Sequence, residues 1–184
     1  MEILNIEGES LVSTNKGTIH IPEGVTHIED GAFRHKINIR KIIMPKTLKS
    51  IGKYAFANWC DLVEVIFNEG IEQIGEAAFK NCTEMWMILM KNITCGSIPE
   101  RCFEGWSNLS SVMFEGVHSI GRRAFAYCTK LEDIYLPKKL KFIGDEAFFC
   151  CCNLKINWKI VNKIDLIETS WDNLVSWRFL YYLQ

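Results

Sequence analysis

The chain has 184 residues, of which 48% are hydrophobic and 23% are charged, and its formal net charge at pH 7 is −1. This length and composition are typical of one globular domain with a substantial core, and they exclude a disordered chain. The near-balance of acidic and basic residues excludes a general electrostatic attraction to nucleic acid or to an anionic membrane.

The first twenty residues do not have the pattern of a secretory signal, because Glu2, Glu7 and Glu9 fall among them without a continuous apolar stretch. The longest purely apolar run, residues 85–90, is too short to cross a bilayer as a helix. We therefore expect a cytoplasmic location by default. A fragment of a cell-surface or secreted protein stays open as an alternative.

Residues 1–27 are predicted to form an amino-terminal cap and a partial repeat. Residues 15–17 are typical of a turn, and residues 18–22 alternate in the manner of a short strand. Val25 and Ile28 then lead into the first full copy of a pattern that dominates the rest of the chain.

That pattern is the phrase Ile-Gly-x-x-Ala-Phe, which occurs with small variations six times. Its phenylalanines stand 22 to 24 residues apart, at Phe33, Phe56, Phe79, Phe103, Phe125 and Phe148. A fixed period of this length is typical of a solenoid, in which each repeat forms one coil and stacks on the next. Residues 28–154 are accordingly predicted to form six repeats of about 23 residues.

Each repeat changes its hydrophobic period part-way. The segment Ala-Phe-x-x-Cys or Ala-Phe-x-x-Trp has helical spacing and predicts a helical turn or a short helix. The aliphatic residues that follow, such as Val65 and Phe67, alternate with their neighbours and predict a strand with one buried face. Glycine at the second position of the phrase predicts a tight entry into the turn. Residues 92–96 carry an insertion, so we expect this region to be the least regular.

Residues 155–184 are predicted to cap the carboxy-terminal end of the stack. Ile156, Trp158 and Ile160 alternate with polar residues and indicate a last strand, and residues 169–172 resemble the start of a capped helix. A stack of identical coils would otherwise leave its last core face open to water.

The eight cysteines follow the repeat. Cys82, Cys128 and Cys151 each lie three residues after a repeat phenylalanine, which is typical of small buried packing residues with free thiols. Cys128 and Cys151 are predicted to lie on neighbouring coils, and whether they form a disulfide stays open. We found no spacing typical of a metal site, a cofactor site or a catalytic centre.

The full unit, Ile-Gly-x-x-Ala-Phe-x-x-Cys-x-x-Leu-x-x-Ile-x-Leu-Pro, resembles the BspA-like, or Treponema-type, leucine-rich repeat over residues 18 to about 155. The resemblance implies an α/β solenoid. It would be a right-handed coil with a parallel β-sheet on its concave side and short helices or turns on its convex side. It also implies a surface for binding proteins, as in adhesion or interaction modules.

In such a sheet, residues that alternate with the buried strand positions face the concave surface. These are the eighth and tenth residues after each phenylalanine, and one column among them is apolar, which often marks an interaction site. The predicted protein-binding residues are His20, Lys41, Ile43, Glu64, Ile66, Met87, Leu89, Ser111, Met113, Asp133 and Tyr135.

The pattern as a whole predicts a non-catalytic scaffold that binds a protein or peptide on its concave face. It predicts no enzyme activity, no cofactor, no nucleic acid partner and no membrane insertion. The alternative is a structural or self-associating spacer of a larger surface assembly, and weak self-association is compatible with either function.

Overall fold

The computed structural model describes residues 2–4, 13–15, 17–90 and 95–155, and the predicted carboxy-terminal cap therefore lies outside the described residues. The described residues form short strands joined by turns. They are β1 (Glu2–Leu4), β2 (Ser13–Asn15), β3 (Thr18–His20), β4 (Val25–Ile28), β5 (Lys41–Ile43), β6 (Ser50–Ile51), β7 (Glu64–Ile66), β8 (Gln73–Ile74), β9 (Met87–Met90), β10 (Ser97–Ile98), β11 (Ser111–Phe114), β12 (Ser119–Ile120), β13 (Asp133–Tyr135) and β14 (Phe142–Ile143).

The first five repeats each contribute two strands, and equivalent strands of successive repeats pair in parallel except at one interruption in each sheet. The first strands form what we call the main sheet, with β2, β3, β5 and β7 in one block and β9, β11 and β13 in another. The second strands form a second sheet, also in two blocks, β1-β4-β6-β8 and β10-β12-β14. The chain is thus a parallel β-solenoid, as the repeat predicted.

The amino-terminal end of the main sheet is closed by a strand of opposite direction. β2 pairs antiparallel with β3, with Asn15 opposite Thr18. Gly17 between these strands has a φ of 78°, a conformation that glycine adopts without steric cost. Among the described residues, β2 is therefore the outermost strand at this end of the main sheet.

The predicted short convex helices are absent from the described residues, and the segment around each phenylalanine is a series of turns instead. The backbone explains why. Tyr54 and Asn58, two residues before and after Phe56, have left-handed φ angles of 54° and 64°. An α-helix cannot continue through left-handed residues. The solenoid therefore has a turn side where helices were expected.

The turn side also directs its hydrogen bonds between coils. The Phe56 amide donates to the Ala78 carbonyl at 2.8 Å, and the Asn58 amide donates to the Lys80 carbonyl at 2.7 Å. The amide between them, that of Ala57, bonds within its own coil to the Tyr54 carbonyl. Alternate amides thus join neighbouring coils, much as strands do.

The repeat phenylalanines form one continuous stack in the core. All six are at most 2% exposed. Each ring lies roughly parallel to the next, so the four inner rings are each buried between two others. The distances between successive ring centroids are 5.4 Å from Phe33 to Phe56, 5.2 Å to Phe79, 6.0 Å to Phe103, 5.4 Å to Phe125 and 5.6 Å to Phe148.

From the second repeat onward, the position three residues after the phenylalanine supplies a hydrogen-bond donor to the preceding coil. Trp106 Nε1 donates to the Phe79 carbonyl at 2.5 Å, and Cys128 Sγ donates to the Phe103 carbonyl at 3.4 Å. In these five repeats the position is occupied by either Cys or Trp, although the volumes of these residues differ greatly. What they share is an N–H or S–H donor, and a buried carbonyl without a partner is costly.

Trp106→Phe should therefore destabilise the fold more than the small loss of volume explains. It leaves the buried Phe79 carbonyl without its indole donor, which should lower the free energy of unfolding by about 1–3 kcal/mol. Urea unfolding followed by circular dichroism would measure it. An unchanged unfolding midpoint would contradict a stabilising role for this bond.

All eight cysteines are free thiols in the structure, including Cys128 and Cys151. Burial raises the pKa of the Cys82 and Cys128 thiols far above the ordinary range, whereas Cys60 and Cys152 are exposed. Thiolate is the reactive form. Iodoacetamide should therefore label Cys60 and Cys152 first in the native protein, as read by peptide mass spectrometry. Equally fast labelling of Cys82 would contradict its burial.

Candidate functional site

The structure places the predicted concave-face residues in two rows on the outer side of the main sheet. In one row, His20, Ile43 and Ile66 face each other across β3, β5 and β7. The same row continues in the other block through Leu89, Met113 and Tyr135. The second row contains Lys41 and Glu64 in the first block and Met87, Ser111 and Asp133 in the second block.

The exposure of these side chains follows the predicted alternation. Ile42 and Val112 point inward and are at most 1% exposed, whereas Met113 and Tyr135 on the outer rows are 43% and 58% exposed. The first row is apolar apart from His20, whereas the second row is mostly polar. The charges of the second row are partly neutralised, since Lys41 Nζ lies 2.8 Å from Glu64 Oε2. The outer face of the main sheet thus presents an accessible apolar row beside a polar one.

One feature was not expected: the two rows are interrupted between Ile66 and Leu89, because β7 and β9 do not pair. We call this interruption the split. The second sheet is interrupted between the same two coils, at β8 and β10. The coils remain joined on the turn side, where the Asn81 amide donates to the Glu104 carbonyl at 2.8 Å.

A groove of about 540 Å³ opens at the split. Its lining is mostly apolar and includes Val65, Phe67, Met85, Trp86 and Met87, and the two charged residues that line it are Glu64 and Glu69. Val65 and Phe67 are inward-facing core positions, yet both are only half-buried. The groove therefore gives access from the outer face to side chains that other coils bury.

The sequence profile of the BspA type leucine rich repeat region matches residues 4–116 and 52–171, with six copies. Together these matches cover most of the chain. This chain belongs to the BspA-type leucine-rich-repeat family. No curated protein matches it significantly.

Solved structures of bacterial leucine-rich repeat proteins resemble this BspA-type chain. A leucine-rich repeat protein from Eubacterium ventriosum is 25% identical over 83% of this chain, with a TM-score of 0.72. A leucine rich cell surface protein from Faecalibacterium prausnitzii is 26% identical over 84% of this chain, with a TM-score of 0.54. The chain covers only 41% and 36% of these two proteins. The leucine rich repeat protein of T. pallidum, 19% identical, has the same fold, with a TM-score of 0.56 and with 85% of this chain and 86% of that one covered.

Sequence reasoning missed the exposed Trp86 of this BspA-type chain. Trp86 is 56% exposed beside the groove, at the seventh position after the repeat phenylalanine. Other repeats have Arg40, Val63, Ser110 or Glu132 at that position. The sequence did contain a signal for this exposed residue. Trp86 is the only aromatic residue in that series, and it lies within the longest spacing between two repeat phenylalanines.

A second cluster of charged residues lies on the turn side of the BspA-type chain. Glu104 is buried, and Lys80, Arg101 and Arg123 approach its carboxylate to within 3.5–3.7 Å. These cations come from three neighbouring repeats, so the cluster ties coils together through charge. Among the described residues, no three side chains of the types that ligate metals converge, and no helix could span a bilayer.

Proposed function

We propose that this chain is a non-catalytic interaction scaffold that binds a protein or peptide through the outer face of the main sheet, as an adhesin-type module would. The observation that carries the proposal is the set of exposed apolar side chains on the outer face of the main sheet, on both sides of the split. Ile66, Met87, Met113 and Tyr135 are between 40% and 58% exposed. Apolar side chains exposed in a contiguous set often mark a protein interface.

The family relationship supports this proposal. One structural relative is described as a cell surface protein, and repeat solenoids present extended surfaces that suit large partners. The paired strands of each block lie about 4.8 Å apart, so β3, β5 and β7 on one side of the split and β9, β11 and β13 on the other each span about 10 Å, and together they offer a face of the size that protein contacts use. The chemistry of this face, apolar with a few charges, favours a polypeptide partner.

Ile66→Asp combined with Met113→Asp is expected to abolish partner binding, because partner binding would bury and desolvate the two new carboxylates. Binding partners can be captured from the source cell with the immobilised chain and identified by mass spectrometry. The matched control is Ile37→Asp, since Ile37 is 72% exposed but lies outside the main sheet.

Partners that bind the wild-type chain and the Ile37→Asp control, but not the double variant, would support the proposal. Unchanged capture by the double variant would contradict it. Circular dichroism should be the same for all three proteins. Light scattering over a concentration series identifies the alternative function, since a self-associating spacer would gain mass with concentration and lose that gain in the double variant.

A further inference from the structure

We propose that the split between β7 and β9 binds an extended peptide strand, with a basic residue beside Glu64 and an aliphatic residue entering the groove. This inference deepens the proposed function and rests on it, because it names the class of partner and the point of contact. Three observations support the inference: β7 and β9 do not pair, the inward-facing Val65 and Phe67 are accessible in the groove, and β7 has an exposed glutamate, Glu64.

Among the described residues, no backbone pairing joins β7 to β9 at the split. The Arg40 carbonyl accepts hydrogen bonds from the Val63 and Glu64 amides at 2.9 and 3.1 Å, joining β5 to β7. Within the described part of the chain, the equivalent Val63 carbonyl accepts none from Trp86 or Met87. An open strand edge is a template for another extended chain, whose main chain then completes the ladder.

The groove also suits the side chains of such a strand. A strand alternates its side chains, so a peptide paired with β7 would direct one side chain inward beside Val65 and the next outward beside Ile66. Val65 and Phe67 are half-buried and Met85 is 3% exposed, so an inward side chain would meet an apolar lining. A volume of about 540 Å³ lies within the usual range of small ligand sites, about 300–1,000 Å³.

The charge of β7 specifies a basic residue at one position. The Glu64 side chain is 51% exposed and contacts Lys41 on the β5 side at 2.8 Å. The position across the split in the same row is the uncharged Met87. A peptide with lysine or arginine at this point would place a cation on the open side of Glu64. β5 already shows the fitting pattern, because Lys41, Ile42 and Ile43 pair with β7 in register.

The fold can hold the split open without separating its coils. On the turn side the Ala77 and Phe79 amides donate to Glu100 and Cys102 carbonyls at 2.9 and 3.1 Å. The Phe79 and Phe103 rings remain stacked at 6.0 Å. The coils therefore diverge only on the strand side, and a bound peptide would replace missing pairing without displacing existing bonds.

The test uses a fluorescently labelled peptide with the sequence of residues 38–45 and blocked ends, titrated into the whole chain. We expect saturable binding, with hydrogen exchange slowed in residues 63–67 and 86–90 and unchanged in β13. Glu64→Lys should weaken binding about fivefold, and a peptide whose lysine is replaced by glutamate should restore it. A peptide methylated on its backbone amides should not bind.

Several results would overturn the inference: no saturable binding in the millimolar range, slowed exchange only at the β13 edge, or equal binding of the methylated peptide. Tyr135→Asp separates this inference from the proposed function, because Tyr135 lies on the outer face and away from the split. If the peptide does not bind but partner capture is lost in the Ile66 and Met113 double variant, only the split site is wrong. If the peptide binds but the double variant captures partners as the wild-type chain does, the assignment of the whole outer face as the binding surface is wrong.

Discussion

Phe125→Ala is expected to lower the free energy of unfolding by about 3–5 kcal/mol, the usual cost of emptying a packed aromatic site. Phe125 is fully buried, and its ring lies 5.4 Å from Phe103 and 5.6 Å from Phe148. Coils above and below both contribute to this site, so the cavity cannot close by the movement of a single side chain. Urea unfolding monitored by circular dichroism measures the change.

The matched control is Tyr135→Ala, which removes another aromatic ring from the same part of the stack. Tyr135 is 58% exposed, so this change should alter the free energy of unfolding by no more than about 0.5 kcal/mol. If Phe125→Ala cost under about 1 kcal/mol, or no more than the control, the ring would not be part of a packed core.

Gly75→Ala should destabilise the chain by about 1–3 kcal/mol or more through overpacking. A Cβ atom at Gly75 would lie 2.5 Å from the Lys53 amide nitrogen and 2.6 Å from the Gly52 carbonyl carbon. Both are backbone atoms of the preceding coil, and the Gly75 amide also bonds to that coil through the Ile51 carbonyl at 2.7 Å. The two coils would have to move apart to make room for a methyl group.

Gly70→Ala provides the control, because a Cβ atom there would be 3.5 Å from its nearest neighbour, an ordinary contact. Thermal unfolding of both variants by scanning calorimetry should show a lower midpoint for Gly75→Ala alone. Equal midpoints would mean that the coils do not approach as closely as the structure indicates.

The glycines illustrate what the sequence predicted and what it did not. Glycine at the second position of the phrase was interpreted as a requirement of entry into the turn. In the structure its role is the close approach of one coil to the previous one, as Gly144 also shows, with a Cβ atom 2.6 Å from the Arg122 amide nitrogen. A repeat period reveals which residues are equivalent, but it does not reveal which neighbouring coil each of them contacts.

The strands and the core were predictable because burial imposes a period on the sequence. The alternation in these strands agrees with the burial of Val112 and the exposure of Tyr135. The turn side was not predictable in this way, because Ala-Phe-x-x-Cys spacing is compatible with a helix. Only the left-handed backbone at residues such as Ala77 and Arg123 separates the two conformations, and neither residue type signals a positive φ.

The split was not predicted. The extra residue near position 92 predicted irregularity at residues 92–96, of which 92–94 lie outside the described residues, whereas the main sheet is interrupted between β7 and β9. Sequence spacing cannot show whether an insertion forms a bulge in a loop or separates two coils. The contacts on the turn side decide this, because they hold the coils together while the strands diverge.

Hydroxyl-radical footprinting of the chain with a captured partner tests most directly whether the outer face of the main sheet is the binding surface. Met87 and Met113 are 40% and 43% exposed on that face, and Tyr127, on the turn side, is 40% exposed. We expect the partner to slow oxidation of Met87 and Met113 and to leave Tyr127 unchanged. Protection of Tyr127 with unchanged oxidation of both methionines would contradict the assignment of the binding face.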